Sequence, residues 1–559
     1  MTDTTVVPAL VPHPAVHRRP SPSPFERSLA FATVAVGLML GPGLGAVRAE
    51  EPLSVAQAAP EAAPPEAAAP ATAVEIPATS IPTPAASPPS APGLAVSPEL
   101  ARRLDETDQL ARITDRKLEL LEEKIEARNK ETPVVNAAES GFFLRSADKQ
   151  TFVQVRGLLQ LDTRWYFGND TVSNNVAFND SDSILIRRFR PEVGGTLVGL
   201  ADFLFSPDFA GASATIFDAY VDVHPFPWLR LRVGKQKTPL GLERLQSEGS
   251  FPFLERALDQ NLTPGRDIGA ALWGEIAGGI VTYNLGFWDG FPDNANNSGG
   301  SSPDGDTDHA KDFIGRLLLQ PLKTLPDVGS LGLGFAVSTG NRKGRPPVNG
   351  GVSLVPTYRS AGQLSIFTYA VGPATDTTGA QTTFAHLRET HLNPQAYYYL
   401  GSFGVLGEYV WAKQGVQRGN STADLTNTAY HVTASYVLGG TASYDGATPD
   451  HPFDPAAGHL GALEIAARYD VLQIDDKTFD KSNPAGGSYA KGYANPTAVV
   501  SKAEGWTGSL VYSPSRTLRF LVNFEQTFFT DGGAADATTK VATDRKTENL
   551  LLARVHVKF

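Results

Sequence analysis

The segment 550–559 reads Leu-Leu-Leu-Ala-Arg-Val-His-Val-Lys-Phe. Taken in steps of two from Phe559, the residues Val557, Val555, Ala553 and Leu551 are apolar, while Lys558, His556 and Arg554 between them are polar; only Leu552 breaks the alternation. A period of two places the two sets on opposite faces of one strand. A soluble protein has little use for an uncovered apolar strand face closing on Phe. A closed cylinder in a bilayer does, because closure leaves no unpaired edge and the apolar face meets lipid. The competing reading of this segment alone is the last strand of a soluble sandwich.

The same texture runs through 141–559. Strand-like stretches are 151–167, 183–198, 213–224, 227–237, 269–277, 278–289, 311–320, 330–339, 363–372, 381–391, 394–401, 403–413, 427–438, 459–473, 505–513, 516–529 and 548–559. Each is near the roughly 9–11 residues that a tilted membrane strand needs. Short Gly, Pro, Asn and Asp turns alternate with longer polar loops at 290–310, 341–352, 415–426 and 478–502, the asymmetry of an outer-membrane barrel. Such barrels usually have an even strand number, so the expectation is an all-β fold: a 16-stranded antiparallel transmembrane barrel. In the first stretch Val155, Gly157, Leu159, Leu161, Thr163 and Trp165 share a face suited to lipid. Arg156, Leu158, Gln160, Asp162, Arg164 and Tyr166 share one suited to a wet lumen.

The N-terminal part differs. Arg18, Arg19 and Arg27 precede the apolar run Leu29–Leu40, which is short for a bilayer span, and Val47-Arg48-Ala49 offers small residues for cleavage. Residues 1–49 are expected to be an export signal. Residues 50–97 are dominated by Ala and Pro and are expected to form a disordered linker. In 98–131, Leu100, Leu104, Thr107, Ala111, Thr114, Leu118, Leu121 and Ile125 fall on heptad a and d positions, which predicts a short periplasmic coiled-coil helix ended by Pro133. A helix packed on its own domain is the alternative.

Composition excludes several chemistries. With no cysteine, disulfides and Cys-ligated metal are ruled out. The net charge of −11 argues against nucleic acid as a partner. An enzyme on a barrel would need a nucleophile beside a poised histidine, yet the ten histidines are scattered and no Ser–His pair stands at strand spacing. No phosphate-loop or dinucleotide fingerprint occurs, and the Asp-rich 303–308 has no Glu at calcium-loop spacing. No catalytic role, cofactor or metal is expected.

What remains is arginine. Arg187, Arg188 and Arg190 lie in a strand-like stretch, and strict alternation predicts that they cannot all face the lumen. Arg230 and Arg232 share one face, with Lys235 and Lys237 at its end, and Arg156 lies on the lumen face of the first stretch. An arginine facing lipid at mid-bilayer costs about 2–4 kcal/mol. Inward guanidiniums offer rigid donor forks for phosphate or carboxylate, or equally pair with Asp and Glu to fill the wall. The stretch 238–268 is too long for a compact turn and carries Arg244, Arg256 and Arg266 with Glu243, Glu255, Asp259 and Asp267. Its apolar centre, Phe251-Pro-Phe-Leu254, makes a poor exposed tip, so it is expected to fold inward as a constriction.

The runs Asp218-Ala-Tyr-Val-Asp-Val and Leu231-Arg-Val-Gly-Lys-Gln-Lys-Thr-Pro-Leu-Gly-Leu-Glu-Arg resemble the phosphate-selective porin family, porins O and P. Phe253-Leu-Glu-Arg, Pro264-Gly-Arg-Asp-Ile-Gly and Arg187-Arg-Phe-Arg-Pro-Glu-Val-Gly-Gly resemble it too. The likeness covers about 141–559 and is strongest in its first half. It implies a homotrimer of barrels in the outer membrane of a Gram-negative bacterium, surrounded by lipid. It also implies Arg- and Lys-lined pores for inorganic phosphate, polyphosphate or other small anions. The positions then expected to line the pore or bind anions are Arg156, Arg187, Arg188, Arg190, Arg230, Arg232, Lys235, Lys237, Arg244, Arg256 and Arg266. A general porin that also tethers the envelope through its helix is the second expectation.

Overall fold

The computed structural model describes residues 97–559 other than 132, 139–140, 168–181, 212–213, 291–308, 347, 349–350, 480–491, 537 and 540. The expected signal 1–49 and all but the last residue of the linker 50–97 lie outside the described residues, as does most of the expected loop 290–310. A helix, α1, covers Pro98–Glu131. Its apolar residues Leu100, Leu104, Leu118, Leu121 and Ile125 are all exposed. A hairpin of Val134–Ala138 and Gly141–Arg145 follows.

Sixteen strands then build the wall. The first eight are β1 Phe152–Tyr166, β2 Ser183–Leu197, β3 Ala201–Asp208, β4 Thr215–Phe226, β5 Leu229–Lys237, β6 Arg266–Ile276, β7 Val281–Trp288 and β8 Asp312–Leu319. The rest are β9 Ser330–Lys343, β10 Thr383–Leu400, β11 Phe403–Arg418, β12 Ser421–Leu438, β13 Ala462–Gln473, β14 Val500–Ser513, β15 Leu518–Ala535 and β16 Glu548–Lys558. Each pairs antiparallel with the next. The ring closes because β16 pairs back onto β1, from Leu550↔Tyr166 to Lys558↔Leu158.

The seam is sealed in three ways. Arg554 donates through Nε and Nη2 to both oxygens of Asp162 at 2.7 Å. Phe559 exchanges backbone hydrogen bonds with Gly157 at 2.7 and 3.1 Å. Beyond it, Gly141–Arg145 continues the same edge of β1, from Phe142↔Val155 to Arg145↔Phe152.

Burial is inverted relative to a soluble protein. Ile184, Phe189, Phe205, Val221, Val233, Phe287, Phe335 and Val432 are exposed on the outside. Gln160, Asp162, Arg164, Asp222, Glu408, Arg468, Asp470 and Arg554 are buried within. Contiguous apolar outer surface with aromatics such as Trp165, Phe226 and Trp228 near strand ends is what lipid and its interfaces select. One end of the barrel has mostly short turns, including 198–200, 227–228 and 401–402, whereas the other carries 238–265, 344–382 and 474–499.

Sixteen is the number expected from the even-strand rule, but the seventeen segments differ from these strands at three places. Residues 201–208 belong to none of the expected segments, yet they form β3; Pro207 sits where the β3–β4 register shifts, a position that tolerates its missing N–H. Asn393-Pro394 divided one long strand, β10, into two expected ones. The segment 363–372 is not wall: Ser365–Thr368 pairs with Thr357–Arg359 in a hairpin of the 344–382 connection. The expected loop 415–426 is also corrected. β11 and β12 extend through it to a two-residue Gly419-Asn420 turn, with Gly419 at φ 57°.

A Cβ on Gly157 would lie 2.5 Å from Cζ of the Phe559 ring. Gly157→Val is therefore expected to expel the terminal ring and lower the yield of heat-resistant folded barrel on semi-native gels, with Gly157→Ala intermediate. Wild-type folding yield in both variants would contradict this account of the seam.

Candidate functional site: an inward loop and an arginine pocket

The connection between β5 and β6 spans 238–265 and turns into the barrel. Arg266 is thus the first residue of β6, not part of the loop as the expected range 238–268 had it. Thr238 closes the loop base, its N–H and Oγ1 donating to the Gly265 carbonyl, each at 3.2 Å. Gly241, at φ 87°, opens a short helical turn over Leu242–Leu245, and a Cβ there would meet Arg244 Cβ at 2.9 Å.

The loop is fastened to the wall on several sides. Glu408 of β11 accepts from the N–H groups of Leu242 (2.6 Å) and Glu243 (2.9 Å) and from Gln260 Nε2 (3.0 Å). Asn393 of β10 accepts from Gly241 N at 3.0 Å, and Asp470 of β13 from Leu258 N at 3.0 Å. On other strands, Ser509 donates to Pro252 O, Arg519 to Gly249 O and Gln160 to Glu248 O. His431 Nδ1 lies 2.8 Å from Asp259, and Arg468 lies 3.4 Å from both Glu243 and Asp470. Phe251, Phe253 and Leu254 are at most 2% exposed, so the apolar centre is buried.

Two further segments hold the loop from its ends. The hairpin of 344–382 packs Tyr358, Ile366, Phe367 and Tyr369 against Leu258 and Leu262, and Asn261 exchanges hydrogen bonds with the backbone of Arg359, both at 2.9 Å. From the opposite end, within 439–461, the Tyr444 hydroxyl donates to Leu242 O at 2.8 Å and the Tyr444 carbonyl accepts from Gln246 Nε2 at 2.7 Å.

Beside the loop lies a pocket lined by Arg187, Arg188, Arg190, Phe217, Glu248 and Arg256, with Arg359 above. All three arginines of β2 reach it, contrary to the alternation argument. The β1–β2 register passes from Gln160↔Arg188 to Leu161↔Ile186, which leaves Arg187 as the extra residue of a bulge. A bulge turns two successive side chains toward the same side.

The pocket's charges are arranged around few carboxylates. Arg187 and Arg164 share Glu255, at 2.7 and 2.9 Å. Arg190 pairs with Asp208 at 2.5 Å and Arg266 with Asp218 at 2.9 Å, and both guanidiniums stack on Phe217, 3.3 and 3.5 Å from its ring centroid. Arg188 bonds to Gln160 Oε1 at 2.6 Å, and its buried Nε has no partner among the described residues. Lys237 donates to the carbonyls of Leu245 and Gln246. With Arg256 and Arg359, eight cationic side chains face Asp208, Asp218, Glu248 and Glu255, a net of four positive charges. Burial would raise the Glu255 carboxyl, but Arg187, with Arg164 and Arg188, holds it well below the usual range.

The remaining expected residues lie elsewhere. Arg230 and Arg232 both pair with Asp222 and stack on Trp273, nearer the short-turn end. Arg156 pairs with Glu192 at 2.7 Å, and Lys235 is half-buried on β5. Arg244 is turned into its own loop, donating to Gln260 O and Thr263 Oγ1. Arg164, Phe217, Glu248 and Arg359 were not singled out. Arg164 was legible, since it shares the inward alternation of Gln160 and Asp162; Arg359 belongs to a hairpin whose seating no local pattern encodes.

A closed barrel with an inward loop and a charged passage defines a porin. Residues 153–559 match the family described as phosphate-selective porin O and P, and the chain belongs to that family. It is an outer-membrane protein of a Gram-negative bacterium. Among solved structures, the outer membrane channel DcaP of Acinetobacter baumannii is 12% identical with TM-score 0.45, over 75% of this chain and 100% of that one. An anion-selective porin from Comamonas acidovorans is 13% identical with TM-score 0.43, over 73% and 100%. OprB of Pseudomonas putida is 9% identical with TM-score 0.44, over 74% and 95%. A search of curated protein sequences gives no match.

Two outcomes follow from the anchoring. Glu408→Ala strands two loop N–H groups and is expected to cost about 1–3 kcal/mol, seen as a lower thermal midpoint and a noisier, larger single-channel current. Glu255 titrates below the ordinary value of 4.5, so its contribution to loop anchoring is present above that pH and lost as pH falls through the depressed value. The conductance difference between wild type and Glu255→Gln is therefore expected to persist on acidification to about pH 5 and to shrink only below the ordinary carboxylate range.

Proposed function

We propose that this porin passes small anions by passive diffusion, with phosphate or polyphosphate as the solute, and that the arginine pocket is its selective step. The observation that carries the reading is the excess of four formal positive charges beside the inward loop. In a narrow passage with low-dielectric walls that excess raises local anion concentration and repels cations. Guanidiniums do so at every physiological pH and present forks that match the oxygens of phosphate. The buried, unpartnered Nε of Arg188 supplies a donor that a passing oxyanion satisfies. Membership of a family described as phosphate-selective supports phosphate as the solute.

Reversal potentials across a salt gradient in planar bilayers test this. The wild type is expected to prefer chloride over potassium, and Arg188→Gln with Arg256→Gln to lower that preference about tenfold, in line with the loss of charge-assisted hydrogen bonds. Wild-type protein that passes cations and anions alike would remove the reading. A homotrimer held partly by α1 belongs to the same proposal, supported by the exposed heptad residues Leu100, Leu104, Leu118, Leu121 and Ile125. Crosslinking of the full chain is expected to yield trimers, fewer when Leu118 and Leu121 are replaced by Asp; equal yields would assign α1 another role.

A further inference from the structure

A second cluster lies where the inward loop meets β11, β12 and β13, and the anion reading makes no use of it. Glu243 comes from the helical turn Leu242–Leu245, Asp259 from a short 3-10 helix over Leu258–Leu262, and His431 from β12. One donor atom from each of these side chains lies within 4.8 Å of the other two. Among the described residues this is the only such set of three. All three are buried, at 2%, 0% and 1% exposure. His431 Nδ1 is 2.8 Å from Asp259 Oδ2, but His431 Nε2 and Asp259 Oδ1 have no hydrogen-bond partner among the described residues. Strand register adds two buried acids beside the imidazole, since His431 stands opposite Glu408 of β11 and Asp470 of β13.

We propose that Glu243, Asp259 and His431 bind a divalent transition-metal ion of the zinc class, which fastens both arms of the inward loop to the wall. The donor set fits. Zinc takes imidazole nitrogen and carboxylate oxygen together at about 2.0–2.2 Å, which holds its donors roughly 3–4 Å apart. The three side chains close to that spacing with a small inward shift. Calcium and magnesium call for six or more oxygens or several retained waters, and an imidazole suits neither. Glu408 already accepts from the loop N–H groups of Leu242 and Glu243, and Asp470 from Leu258 N, so acids behind the site also hold the segments that carry its ligands. The proton held between His431 and Asp259 leaves to solvent as the metal enters, because bound imidazole is neutral and bound carboxylate is ionised. That shared proton is the competing occupant. The proposal does not depend on the anion reading: it concerns how the constriction is held, not what passes it.

The test uses the full-length chain, unfolded in chelator, refolded in detergent micelles with zinc, calcium or magnesium chloride, and then freed of loose ions by desalting. Elemental analysis counts metal per folded barrel, and heat-modifiable mobility gives the thermal midpoint. Wild type refolded with zinc is expected to keep about one ion per chain and to unfold at a higher temperature than protein refolded in chelator. Calcium and magnesium are expected not to be retained. His431→Gln and Asp259→Asn are each expected to retain zinc at least about tenfold less well and to lose the zinc-dependent part of the midpoint. Glu243→Gln lies on the loop, outside the strand ladder, and carries the same expectation if β12 does not fold with Gln. A folded wild type that keeps no zinc overturns the proposal and leaves the cluster to its shared proton. Folded variants that retain zinc as the wild type does overturn it too, since the ion then sits elsewhere.

Discussion

Lipid offers no hydrogen-bond partner to a peptide group, and every other feature of this molecule follows from that. A strand crossing the bilayer must find both neighbours within the protein, so the sheet has to return to its first strand. The return is the pairing of β16 with β1, with Arg554 and Asp162 locked together inside the seam and Phe559 covering Gly157 at its end. Once the ring is closed, the apolar residues of each strand have somewhere favourable to point, and their partners are forced into a common interior.

That interior is too wide to leave to strand side chains alone. The 238–265 loop crosses it, the 344–382 hairpin packs on the loop from one end, and Tyr444 supports it from the other. Much of the contact is charged or polar, which is costly unless every group finds a partner. The arrangement around Glu408 shows how the cost is met: one buried carboxylate satisfies two N–H groups and a side-chain amide of the loop. In the arginine pocket positive charge exceeds negative, and a guanidinium nitrogen of Arg188 has no partner among the described residues. An excess of positive charge with a donor left over is what an anion-binding step requires.

Part of this could be read along the chain. The alternation of 550–559 assigned Arg554 and His556 to one face, and both are buried inside. Leu552, which broke the pattern, is also buried, where it packs with Leu254 of the loop and Ala361 of the hairpin. The exception therefore marks where an internal segment meets the wall. The length and apolar centre of the inward loop were enough to predict its direction. Pro207 and Pro394 both lie inside strands, because the effect of proline depends on whether a neighbour needs its missing N–H, and that is known only once the sheet is paired.

The sequence by itself determined the barrel, the two faces of its strands and the inward course of the 238–265 loop. These rest on periodicity and on the cost of placing polar groups in lipid, which act residue by residue. Tertiary structure alone decided which arginines share a pocket. A one-residue bulge at Arg187 turned three neighbours to one side, and the loop carried Glu248 into their midst. Both depend on register and on contacts between residues far apart in the chain, which no local pattern records.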